Sequence, residues 1–73
     1  MKKIKFRYVK YNDAYQLQYK KWGFWKCFGQ DWGMYYEVYS KDTQEEVFEI
    51  FKEYINLLHF IAIEYPMIKR KTV

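Results

Sequence analysis

Residues 43–66 read TQEEVFEIFKEYINLLHFIAIEYP, and how this stretch is divided decides the fold. Thr43 followed three residues later by Glu46 has the form of a capping box, in which each residue satisfies a backbone N–H of the other. Glu45 and Glu46 also place negative charge at the positive end of a helix dipole. At about 100° per residue, Val47, Phe48, Ile50, Phe51, Tyr54, Ile55, Leu57, Leu58, Ile61 and Ala62 share one wide apolar arc. Glu45, Glu49, Lys52, Glu53 and Asn56 lie opposite. Pro66 disfavours helical geometry at Tyr65. The stretch therefore predicts one long amphipathic helix over about 44–64, lying on the elements that precede it.

Those elements read as strands. Ile4, Phe6 and Tyr8 alternate with Lys3, Lys5, Arg7 and Val9, the pattern of a half-buried strand over about 2–10. Asn12-Asp13 supplies turn chemistry, and Tyr15, Leu17 and Tyr19 then alternate with Gln16, Gln18 and Lys20 in a second strand over about 14–22. A short strand over about 24–28 follows Gly23, which marks a bulge or a corner. The run Gly29-Gln-Asp-Trp-Gly33 reads as a loop, and a last strand covers about 34–40. The expected fold is α+β: an antiparallel sheet of three to four strands covered by one long C-terminal helix. Residues 1–73 make a single domain, with 65–73 a basic tail whose order is left open.

A chain of 73 residues buries only about 60% of the surface its unfolded form exposes, so a core this small needs reinforcement. Cys27 is the only cysteine, which excludes an intramolecular disulfide and is in keeping with a reducing, cytoplasmic setting. Aromatic residues are 25% of the chain, and dense ring packing or self-association can take the disulfide's place. The most apolar run, Leu57 to Ile63, is interrupted by His59 and is far short of the ~18 residues a membrane span requires.

Two residues, Phe60 and Ile63, fall on the polar side of the helical arc. About 21 helical residues would span ~32 Å, whereas a seven-residue strand spans ~23 Å, so the helix should outrun its sheet near these residues. An exposed apolar end of this kind points to a binding surface. Leu57, Phe60, Ile61 and Ile63 are the expected interface with a second copy, giving a homodimer, or with another protein; Trp32, in the glycine-bounded loop, joins them. A tail folding back over these side chains is the competing explanation. Trp22 and Trp25 are expected in the core.

Catalytic and metal chemistry find little footing. His59 and Cys27 are each the only residue of their type and fall on different predicted elements, with no oxyanion motif or zinc-ligand spacing in sight. No enzyme activity and no cofactor are expected. The net charge of +4 is concentrated in the strand half, while the first half of the helix is acidic. The strands combine Lys5, Arg7, Lys20 and Lys26 with Tyr35 and Tyr39, so a second reading is a sheet face that binds single-stranded nucleic acid. The same positive charge argues against DNA mimicry, which needs an acidic surface.

The stretch YQLQYKKWGFWK, residues 15–26, followed by SKDTQEEV, residues 40–47, resembles a pattern found in small accessory proteins of bacteriophages and other mobile elements. In that pattern an aromatic strand pair leads into a helix begun by Asp-Thr and paired glutamates. The resemblance implies a short protein that binds a host or defence protein stoichiometrically and inhibits or redirects it. It maps no catalytic or ligand-binding residue onto this chain.

Overall fold

The computed structural model describes residues 2–70. Seven strands and one helix follow in the order β1 (Lys2–Tyr11), β2 (Ala14–Lys21), β3 (Phe24–Cys27), β4 (Gly29–Asp31), β5 (Tyr36–Val38), α1 (Gln44–Leu57), β6 (Phe60–Glu64) and β7 (Ile68–Arg70). The first hairpins follow the alternation. Phe6 pairs with Tyr19 and Tyr8 with Leu17 across β1 and β2, and Tyr19 pairs with Lys26 across β2 and β3. At the second turn Trp22 and Gly23 both have positive φ, 55° and 84°, as a two-residue type I′ hairpin requires.

The helix is shorter than the sequence predicts, and the difference changes the fold. Thr43 caps it as expected: its hydroxyl accepts a hydrogen bond from the Glu46 N–H at 3.2 Å. The helix ends at Leu57 instead of near residue 64. Leu58 is the C-terminal cap, and His59 follows at φ 56°, the left-handed geometry that stops helices. Phe60–Glu64 then runs parallel to β1, with Lys2 opposite Phe60 and Ile4 opposite Ala62. After Pro66, β7 continues along the same side of β1, with Val9 opposite Ile68 and Tyr11 opposite Arg70. The result is a mixed five-stranded sheet, ordered β3-β2-β1-β6 with β7 also on β1, plus the two-stranded β4-β5 arm. An antiparallel sheet of three to four strands under a long C-terminal helix is therefore not the fold.

Of the expected tail over 65–73, Ile68–Arg70 is strand, while residues 71–73 lie outside the described residues. Phe60 and Ile63 broke the helical pattern because they belong to a strand. Their neighbours alternate at period two: Phe60 and Ala62 pack against the core, whereas Ile61 and Ile63 face the other way.

One face of the sheet meets α1. Ile4, Phe6, Tyr8, Leu17 and Tyr19 form one core with Phe28 and with Val47, Phe51 and Ile55 of the helix. Phe51, fully buried, touches five rings, with centroid distances of 5.2 Å to Phe28, 5.4 Å to Phe6, 6.0 Å to Tyr54, 6.1 Å to Tyr19 and 6.4 Å to Phe48. Such pairs add about 0.5–1.5 kcal/mol each beyond burial, which supplies reinforcement that disulfides cannot. Burial pushes the Tyr8 and Tyr19 hydroxyls up to about 12, helped at Tyr8 by Glu64 and Glu45 and at Tyr19 by Tyr54 and Tyr36.

Candidate interaction surfaces

Two surfaces stand out, and neither is the end of the helix. The predicted interface is dispersed. Leu57 is exposed at the last turn of α1, Phe60 is half-buried against the core, and Ile61 and Ile63 lie on the far face of the sheet. Only Trp32 remains in an exposed aromatic setting.

That setting is built by the segment between β2 and β5. Residues 29–31, expected as loop, pair with β5: Gly29 with Val38, Gln30 with Glu37 and Asp31 with Tyr36. Gly29 is required because a Cβ there would collide with the Glu37 backbone. The arm turns at Trp32-Gly33-Met34-Tyr35, where the Asp31 carboxylate accepts from the Gly33 N–H at 2.8 Å and the Trp32 N–H is bonded to the Tyr35 carbonyl at 3.0 Å. Beside it the Tyr36 hydroxyl donates to the Cys27 carbonyl at 2.6 Å, tying β5 to β3.

Between β3 and β5 lies an open groove of about 780 Å³, lined by Trp22, Phe24, Trp25, Cys27, Tyr36 and Val38 and flanked by Lys21 and Lys26. Large apolar side chains stand out around it and on the arm: Trp22 is 88% exposed, Phe24 77%, Met34 96% and Trp32 57%. The expected placement of Trp22 and Trp25 in the core is thus corrected. Trp22 lies in the β2–β3 turn itself, and Trp25 shares the register of Lys20 on the sheet face turned away from α1.

The second surface is the sheet face turned away from the helix. Strand register places Lys3, Lys5, Arg7, Val9 and Tyr11 of β1 on it, with Gln16, Gln18 and Lys20 of β2, Trp25 and Cys27 of β3, Ile61 and Ile63 of β6, and Ile68 and Arg70 of β7. No aspartate or glutamate is among these strand positions. At its centre the Arg7 guanidinium lies 4.2 Å from the Trp25 ring centroid and its Nε donates to Gln18 Oε1 at 2.8 Å. Gln18, itself buried, donates in turn to Cys27 Sγ at 3.6 Å. The Trp25 and Tyr65 rings meet edge to face at 5.6 Å, with Lys20 Nζ 5.2 Å from Trp25 and Lys5 Nζ 5.7 Å from Tyr65.

Of the residues assigned to a nucleic-acid face, Lys5, Arg7 and Lys20 come together here. Lys26 points to the helix side, over the Tyr36 ring at 5.4 Å. Tyr39 packs on Phe28 at 5.3 Å and Tyr35 sits in the arm turn. Trp25 and Tyr65 replace these tyrosines. Trp25 was expected in the core and was missed for this face, although its alternation with Lys26 is the signal that could have placed it there. Tyr65 has no such signal, because nothing local reports that the segment beyond Leu58 returns to β1.

Among the described residues no three His, Cys, Asp or Glu side chains are grouped to hold a metal ion, and no helix is long and apolar enough to cross a membrane. Comparison of the chain with protein-family models, curated proteins and solved structures gives no significant match.

Proposed function

We propose that this protein is a small non-catalytic module that binds another protein through the groove between β3 and β5. The observation that carries this reading is the set of apolar side chains left exposed at that groove, Trp22 and Phe24, with Trp32 and Met34 also more than half exposed on the β4-β5 arm that contributes β5 to it. A 73-residue chain with few means of stabilising itself has every reason to bury such rings, and large aromatics kept at the surface are what interfaces use as anchors. Lys21 and Lys26 flank the groove, so the complementary partner presents an apolar anchor bordered by acidic residues. Lys26, on β3 itself, opposes the pairing of two β3 edges with each other, which favours a different protein over a second copy. The sequence resemblance supplies the setting: a phage or mobile-element protein acting stoichiometrically in the cytoplasm as an inhibitor or modulator of a host or defence protein.

The test is affinity capture from bacterial lysate, with and without nuclease, by the wild-type chain and by a Phe24→Ser, Met34→Ser variant. Both positions are exposed, so the variant should keep the wild-type circular dichroism. A protein captured in stoichiometric amount by the wild type and lost from the variant is the expected result. Equal capture by a folded variant, or capture abolished by the nuclease, would overturn the reading.

A further inference from the structure

We infer that the sheet face opposite the helix binds single-stranded nucleic acid around Arg7, Trp25 and Tyr65, with Trp25 standing where this face meets the groove. Charge is the first argument. Lys3, Lys5, Arg7, Lys20 and Arg70 share this face with no carboxylate among its strand positions. The helix on the other side carries Glu45, Glu46, Glu49 and Glu53 against Lys52 alone. The molecule is thus polarised across its thickness, a distribution that orients an approaching polyanion towards the open sheet.

What the cations rest on is the second argument. Arg7 and Lys20 lie over the Trp25 ring, Lys5 lies over the Tyr65 ring, and the two rings touch each other. A carboxylate could draw the cations away but would leave the rings bare. A nucleotide supplies both replacements, a phosphate for the cation and a base for the ring it leaves. Gln18 holds the guanidinium over the sheet through a buried amide that is itself anchored on Cys27, so Arg7 is fixed before any ligand arrives.

Geometry selects the unpaired form. From β3 to β6 the face is three strand spacings wide, about 14 Å, and its rings lie within the sheet surface and not on a projecting element. Stacking on such a surface needs bases whose planes are accessible, which a duplex does not offer. Recognition by rings and phosphate contacts alone reads little sequence, so the site is expected to tolerate many sequences.

Fluorescence anisotropy of a labelled oligo(dT) of roughly 12 nucleotides, a length within the range one such face covers, tests the site. Binding at low salt should weaken with a log–log slope of about −2 to −3, as neutralisation of three to four phosphates predicts. Lys5→Glu with Lys20→Glu, both exposed, should lose on the order of tenfold or more and flatten the slope. Trp25→Leu with Tyr65→Leu should weaken binding while leaving the slope in place, which separates stacking from charge. Absence of binding at the lowest salt would overturn the inference, as would folded variants that bind like the wild type. So would equal affinity for a duplex of the same length or for phosphatidylserine vesicles. Trp25 also lines the groove, but Lys5, Lys20 and Tyr65 do not, so wild-type binding and the Lys5→Glu, Lys20→Glu variant test this face alone, and failure there leaves the protein-binding reading standing.

Discussion

Trp22 occupies a backbone position that suits it poorly. Its φ of 55° puts a bulky residue in the left-handed region, at a cost of about 1–3 kcal/mol, and its ring is left in solvent. Asparagine before glycine is the favoured pair for this turn. A tryptophan kept there against both preferences is explained if the ring meets a partner. Trp22→Asn should therefore stabilise the domain by about 1 kcal/mol, raising the thermal midpoint by roughly 4–8 °C, while weakening capture of the protein partner. A variant that is no more stable, or that captures the partner undiminished, would remove this explanation. The sequence shows Gly23 as an irregularity, but the strain at Trp22 depends on a turn type that Trp-Gly does not announce.

At the level of elements, the chain is legible wherever alternation and local turns set the structure. The β1–β2 and β2–β3 hairpins follow from Ile4-Phe6-Tyr8, Tyr15-Leu17-Tyr19 and the residues between them. The start of α1 follows from Thr43 and Glu46. Gly29 is the instructive failure: a glycine reads as loop, yet here its missing side chain lets β4 approach the Glu37 backbone. The arm that displays Trp32 and Met34 depends on that approach. Gly29→Ala should cost about 1–3 kcal/mol through the displaced backbone. It should also blunt partner capture by more than an exposed alanine substitution such as Gln30→Ala. Chemical denaturation of the two variants measures the first effect, and lysate capture the second. Equal stability of both would mean that the arm bends without using the space glycine leaves.

The largest departure from expectation belongs to the whole molecule. Apart from His59, Leu57 to Ile63 is apolar throughout, so it satisfies helical and strand periodicity together. The choice between them is made by β1, almost the full chain away, whose Lys2–Phe6 segment pairs with Phe60–Glu64. No local pattern encodes that pairing, and Tyr65 on the open face was hidden with it. The consequence is that Ile68–Arg70, expected within a basic tail, is paired to β1. Truncation after Leu58 would strip β1 of a partner along Lys2–Phe6 and Val9–Tyr11. It would also take Phe60 and Ala62 from the edge of the core. A domain of this size has about 4–11 kcal/mol of stability in all, and an emptied edge next to its central strand removes a large share of that. The truncated chain should lose the near-ultraviolet circular dichroism of its packed rings and unfold without a cooperative transition. Were β6 and β7 only an appendage, the shortened protein would keep both signals, with its midpoint within a few degrees of the full chain. The two outcomes also differ in rate: closing β1 onto β6 brings together segments that are distant in sequence, so the full chain should fold more slowly than a hairpin-and-helix domain of equal length.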